Sequence, residues 1–208
     1  MISNNETLEK VYTAESHTEL MDAYKEWAGD YDRDTVQEYG YTAHIESATA
    51  LDSVLDSKES RILDAGCGTG LVGLELSRLG YQHMDALDYS ADMLAQAKKK
   101  AVYNELIQAD LSKPLTLPDN KYDAVNCTGT FTYGHVGADA FDELIRVTRP
   151  GGIVCFTIRE GAYEEFGYQD KMAELEKKNA WELMELKDAQ YFEQDDVKCK
   201  LCTYKVTH

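Results

Sequence analysis

Arg61-Ile62-Leu63-Asp64-Ala65-Gly66-Cys67-Gly68-Thr69-Gly70-Leu71-Val72-Gly73 passes from a short apolar strand through a glycine-rich turn into a helix. Glycines at 66, 68 and 70 let the backbone take positive φ and approach a ligand closely. The helix behind them adds free amides and a positive dipole end. The stretch therefore reads as a cradle for a nucleotide-like ligand, and the rest of the chain is read outward from it.

Downstream, the pattern predicts a helix near 69–79, a strand at 82–88, a helix at 90–101 and a short strand around 103–108. Beyond Pro114 and Pro118 come a strand at 121–127, a helix at 138–148 and a strand at 152–158. Such alternation specifies a parallel sheet with helices on both faces. A polar helix from about Tyr163 to Lys178 then precedes two apolar stretches, ending at Val206, with no helix between them. They imply a closing antiparallel hairpin and a seven-stranded, mostly parallel sheet.

Upstream, Ser16-His17-Thr18-Glu19 fits a capping box for a helix running to Ala28. Gly29-Asp30 breaks it, and a second helix spans about Tyr41 to Leu55 with Ile45, Ala48, Leu51 and Leu55 on one face. Residues 18–57 are expected to form a helical lid within a single domain of 1–208.

Composition excludes several classes of function. The chain has 208 residues, 43% hydrophobic and 28% charged, ordinary for one globular domain. Its net charge of -17 opposes binding to nucleic acid or an anionic membrane. No apolar run approaches the roughly 20 residues of a spanning helix, and Met1 to Glu6 lacks a signal-like pattern, so a cytoplasmic location is expected. Five scattered cysteines read as free thiols. Cys199-x-x-Cys202 lies in an alternating strand without a histidine cluster, and no metal site is expected.

Two ligands compete for the cradle. Gly68-x-Gly70-x-x-Gly73 also satisfies the dinucleotide pattern, which by itself is weak. Asp64 ahead of the glycines is expected to suit an α-amino group and repel a pyrophosphate, which favours S-adenosylmethionine. Asp88, at the end of the next strand, stands where an acid accepts both ribose hydroxyls. Asp110-Leu111, at the third strand's end, is placed to bond an adenine amine and pack on its ring.

Ile62 to Gly73, Asp88, Asp110-Leu111, Tyr122 to Val125 and Arg149-Pro150-Gly151-Gly152 together resemble a class I S-adenosylmethionine-dependent methyltransferase of Rossmann-like fold. Tyr24 to Asp32, Cys67 to Gly73, Leu87 to Leu94 and the Pro-Gly-Gly are similar to the Williams–Beuren syndrome region methyltransferase-like proteins. The resemblance implies that Asp64, Gly66 and Gly68 hold the methionine end and Asp88 the ribose, with Cys67 and Leu71 also binding the cofactor. It implies that Tyr89, Met93, Asp110 and Leu111 hold the adenine, Cys127 supplies backbone beneath the methionine, and Trp27 and Tyr31 close over the cofactor.

A sulfonium methyl is already activated, so alignment of an acceptor and exclusion of water do most of the catalytic work. Tyr24, Trp27, Tyr31, Phe131 and Tyr133 are candidates to surround the cation. The loop Asn126 to His135 is where an acceptor should arrive, with His135 the candidate base. Arg159 either anchors a carboxylate or pairs with neighbouring glutamates. The expected activity is methyl transfer to a small molecule by a monomer or weak dimer. The alternatives are a non-catalytic cofactor-binding or interaction module and an NAD-dependent oxidoreductase.

Overall fold

In the computed structural model, Ile62–Ala65 (β1) is buried at all four positions, as a strand covered on both faces must be. The structure describes residues 10–11, 17–133, 136–194 and 196–207, the side chains of 17, 18, 20 and 21 excepted. Strand β1 lies parallel between Met84–Asp88 (β2) and Tyr122–Phe131 (β4). Glu105–Gln108 (β3) extends the sheet beyond β2, and Thr148–Arg159 (β5) beyond β4. Trp181–Phe192 (β6) and Val197–Val206 (β7) return antiparallel, giving the order β3-β2-β1-β4-β5-β7-β6. Strand order reverses between β1 and β4, and the crevice at their carboxyl ends is where such sheets take ligands.

Neighbouring residues of β1 serve opposite faces. Leu63 belongs to the core that includes Phe141, Phe156 and Trp181, whereas Ile62 belongs to the one that includes Leu51, Cys155 and Leu201. The first face is knit by aromatic rings, Trp181 stacking on Tyr204 with centroids 4.1 Å apart.

The helices are His17–Trp27 (α1), Ala43–Val54 (α2), Leu71–Arg78 (α3), Ala91–Lys100 (α4), Ala140–Val147 (α5), Ala162–Glu165 (α6) and Tyr168–Lys177 (α7). Ser90 caps α4 by accepting from the Met93 amide. The helix expected over 163–178 is divided, because Gly167 takes φ +71° ahead of α7. Ser16 of the expected capping box lies outside the described residues.

The N-terminal preface differs most from expectation. Arg33–Glu38 forms a π-helical turn after the Gly29-Asp30 break. Tyr41 is not helical but bridges to Phe192, and Thr42 donates its amide to the Tyr191 carbonyl. Helix α2 then packs on α3, β4 and β5 with Ala43 and Leu51 fully buried. Ile45, expected inside, is 46% exposed. Of the expected lid, α2 is therefore part of the core.

All five cysteines are buried and unpaired. Cys199 and Cys202 belong to cores on opposite faces of the sheet, since residues three apart in a strand point to opposite sides. No described helix is long and apolar enough to cross a membrane.

Candidate functional site

Beyond β1 the chain makes a turn that only glycine fits well. Gly66 has φ +70°, and a Cβ there would lie 2.1 Å from Thr130 Oγ1. Gly68 has φ +53° and faces open space. The turn satisfies its own donors: Gly66 and Cys67 amides bond the Leu87 carbonyl, the Gly70 amide bonds Cys67, and the Gly68 amide bonds Asp88 Oδ2 at 2.8 Å. Those amides are not aimed outward, as a phosphate nest requires.

A cavity of about 970 Å³, counted out to its open mouth, lies against this turn. Gly66, Cys67, Gly68 and Leu71 form its floor. Asp88, Tyr89 and Met93 line the side of β2 and α4, and Asp110 with Leu111 the side of β3. Tyr24 and Tyr31 reach it from the preface. The far wall is Tyr41, just ahead of α2, and His44 in its first turn, beside Thr128, Gly129 and Thr130 of β4.

The electrostatics of this cavity are one-sided. Asp88 accepts the Gly68 and Ser90 amides at 2.8 Å each; burial pushes its carboxyl up, and those bonds oppose the shift. Each oxygen keeps a further lone pair. At Asp110 burial also works against the charge, but Ser112 and Lys113 outweigh it and hold the carboxyl at about 2. Among the described residues neither Lys nor Arg lines the cavity. A dinucleotide's pyrophosphate would find no cation here, whereas a sulfonium and an amino group suit the carboxylates and rings.

Three residues expected at the site stand back from the wall. Asp64 is 1% exposed and accepts from the Tyr103 hydroxyl at 2.5 Å. Burial pushes its carboxyl up to about 7, opposed by the Tyr103 bond and reinforced by the charge of Asp88. Cys127 is completely buried within β4, and the next three residues carry the wall instead. Trp27 donates Nε1 to Asp34 Oδ2 at 2.9 Å and meets Tyr31 edge-on, with centroids 4.7 Å apart. It lines a small adjoining cavity that shares Tyr24, Tyr31, Tyr41 and Gly129 with the main one. His135 lies outside the described residues.

Phe131 is buried among Phe141, Phe156 and Tyr168, away from the cavity. Tyr133 lies under the Arg159 guanidinium, 5.6 Å from ring centre to Cζ, and neither lines the wall.

The sequence reading missed Tyr41 and His44, whereas Thr128 to Thr130 fall in the stretch expected to meet an acceptor but belong to β4 rather than to a loop. The only signal was polar character on otherwise apolar elements: His44 and Ser47 share the buried face of α2 with Leu51. Ser47 Oγ accepts from Asn126 Nδ2 at 2.8 Å and lies 2.6 Å from Thr128 Oγ1, a satisfied network beneath the wall. A lid strut was missed as well. Lys100 Nζ bonds Asp32 Oδ2 at 2.6 Å and the Thr69 carbonyl at 2.7 Å, and Thr69 Oγ1 also bonds Asp32.

Residues 62–152 match the family model described as a methyltransferase domain. Human methyltransferase-like protein 27 is 36% identical over 166 residues, covering 76% of this chain and 66% of its own. A malonyl-[acyl-carrier protein] O-methyltransferase of Enterobacter lignolyticus is 36% identical over 112 residues, covering 53% of this chain and 44% of its own. The chain thus spans just under two thirds of the human relative and less than half of the bacterial one. In fold it is similar to the methyltransferase solved in complex with the Haloferax volcanii Trm112 activator, with TM-score 0.66 and 17% identity over 89% of this chain and 98% of that one. It is also similar to an S-adenosylmethionine-dependent methyltransferase from Mesorhizobium loti, with TM-score 0.59 and 17% identity over 78% and 99%.

Proposed function

We propose that this chain, which belongs to the class I S-adenosylmethionine-dependent methyltransferases, catalyses methyl transfer to a small, uncharged acceptor. The observation that carries the reading is the cavity itself, lined by Asp88 and Asp110 and by the rings of Tyr24, Tyr31, Tyr41 and Tyr89, with no cation on its wall among the described residues.

S-adenosylmethionine, when bound, supplies a methyl group on a sulfonium. The chain's own residues then have three tasks. Asp88 accepts hydrogen bonds from the ribose hydroxyls with the lone pairs its backbone donors leave. Asp110 and Leu111, with Tyr89 and Met93, hold the adenine. Tyr24 and Tyr31 exclude water and place electron-rich ring faces near the cation, which strengthens electrostatics in the emptied space.

The uncharged acceptor follows from the wall. A malonyl thioester presents a free carboxylate, whose burial no side-chain cation among the described wall residues offsets and Asp88 and Asp110 oppose. The acyl-carrier substrate named for the bacterial relatives is thus a poorer match than a neutral molecule. The net charge of -17 likewise opposes nucleic acid. In this reading the chain works as a monomer or weak dimer, in the cytoplasm.

Titration calorimetry with S-adenosylmethionine, S-adenosylhomocysteine and NAD tests the cofactor, and binding of NAD alone overturns the reading. Mass spectrometry of a metabolite extract incubated with methyl-labelled S-adenosylmethionine tests the acceptor. Cofactor binding with no labelled product across the extract would favour a binding module instead.

A further inference from the structure

The cofactor accounts for the floor and one side of the cavity but not for its far wall. There His44 is 4% exposed, lies nearly parallel to Tyr41 with centroids 5.2 Å apart, and has its Nδ1 enclosed without a hydrogen-bond partner. Buried polar atoms are almost always satisfied, so a ring that lines the cavity and still carries an unsatisfied nitrogen is exceptional. Next to it the Tyr41 and Tyr191 hydroxyls converge over Gly129, 3.0 and 3.3 Å from where a Cβ would stand. Gly129 thereby leaves bare backbone beneath them. Tyr24 and Tyr31 bound the same space from the preface.

We infer that this wall is the acceptor subsite, that His44 is its proton acceptor, and that the acceptor is a neutral molecule with a flat apolar body and a phenol-like hydroxyl. The inference rests on the methyltransferase reading above. Tyrosine faces and edges match a flat ring. The absence of Lys and Arg among the described wall residues disfavours a carboxylate or phosphate. In the step itself, the acceptor oxygen forms a bond to the methyl carbon, the methyl–sulfur bond breaks with its electron pair passing to sulfur, and the hydroxyl proton passes to His44.

Burial keeps the imidazole neutral, bringing it down to about 4, with the charge of Asp32 opposing and that of Arg78 assisting. So weak a base suffices, because an oxygen that has gained a methyl releases its proton far more readily than the free hydroxyl does. His44→Phe keeps a ring against Tyr41 and removes both nitrogens, whereas His44→Gln keeps a hydrogen-bonding group.

The test uses 2-naphthol and 2-naphthoate as probes, titrated calorimetrically into the chain loaded with S-adenosylhomocysteine. Naphthol should bind and shift the ring ¹⁵N resonances of His44 in labelled protein, and naphthoate should bind at least about tenfold more weakly. His44→Phe should lose about tenfold in naphthol affinity, His44→Gln should recover part of it, and both should bind S-adenosylhomocysteine like the wild type. Failure of S-adenosylhomocysteine itself to bind overturns the methyltransferase reading and this one with it. If S-adenosylhomocysteine binds, then absence of naphthol binding, equal affinity for naphthoate, or unchanged naphthol affinity in His44→Phe overturns the subsite alone.

Discussion

The Tyr103 hydroxyl donates to Asp64 Oδ2 at 2.5 Å, and the same ring occupies the hollow beside Gly73. A Cβ at Gly73 would stand 2.2 Å from that hydroxyl, so the glycine is needed for Tyr103 and not for a ligand. Tyr103→Phe removes a donor from a fully buried carboxyl and should cost about 1–3 kcal/mol. Urea denaturation at pH 5 and pH 8 checks this. The loss should be larger at pH 8, where the carboxylate rather than the acid lacks its partner; an equal loss at both pH values counts against the pairing.

Asp64 carries a second expectation, with a definite sign. Its carboxyl sits at about 7 in the fold against an ordinary 3.8, so the folded state holds this proton more tightly than the unfolded chain does. Its contribution is therefore complete below about pH 4 and is lost as pH rises through 7. The loss is on the order of 4 kcal/mol at mildly alkaline pH. Asp64→Asn keeps a carbonyl for Tyr103 and cannot ionise. The stability of this variant relative to wild type should climb between pH 4 and pH 8, and a flat difference would refute the burial argument.

How far the sequence could be read follows from which signals are local. The strand, turn and helix at 62–78 were legible because alternating glycines after an apolar run leave few other conformations. Asp88 and Asp110 were legible because strand ends converge in a parallel sheet. The burial of Asp64 against Tyr103 was not legible, because this partner lies in the loop between α4 and β3 and no pattern announces a phenol arriving there. The same holds for Tyr41, whose bridge to Phe192 depends on the C-terminal hairpin. His44 looked like one more residue of an apolar face, and only the fold shows that this face borders a cavity.

The two loop glycines should separate stability from binding. Both have positive φ, which costs a side chain about 1 kcal/mol or more. Gly66→Ala adds a collision with Thr130 and should lose about 2–4 kcal/mol by thermal or urea unfolding. Gly68→Ala points its methyl into open cavity, so it should lose only about 1 kcal/mol of stability yet bind S-adenosylhomocysteine at least about tenfold more weakly. Wild-type affinity in Gly68→Ala would remove the turn from the cofactor site.

Asp88 and Tyr31 should rank differently in calorimetry with S-adenosylhomocysteine. Asp88→Ala takes an acceptor from the Gly68 and Ser90 amides that shape the turn and, in the proposed reading, from two ribose hydroxyls. A loss of about a hundredfold is expected. Tyr31→Ala removes one ring from the mouth and should cost only about fivefold with this uncharged product, and more with the sulfonium itself. Equal losses, or no loss for Asp88→Ala, would dismiss the ribose assignment.

Lys100 ties the preface to the turn, and its removal should loosen binding more than folding. Its side chain is 13% exposed, and its ammonium holds Asp32, just ahead of the π-helical turn, while also bonding the Thr69 carbonyl between the loop glycines. Asp32 is 42% exposed, so the ion pair itself adds little, on the order of 1 kcal/mol or less. Its consequence is positional, because Tyr31 adjoins Asp32 and can meet a cofactor only while this segment stays against the turn. Lys100→Met keeps the aliphatic packing and removes the charge. Global stability should fall by no more than about 1 kcal/mol, while hydrogen exchange at residues 30–38 speeds up and S-adenosylhomocysteine affinity drops about fivefold. High salt should do little further to the variant, whereas it should weaken binding by the wild type. Unchanged exchange at 30–38 together with unchanged affinity would show that α2 and the Tyr41 bridge hold the preface without Lys100.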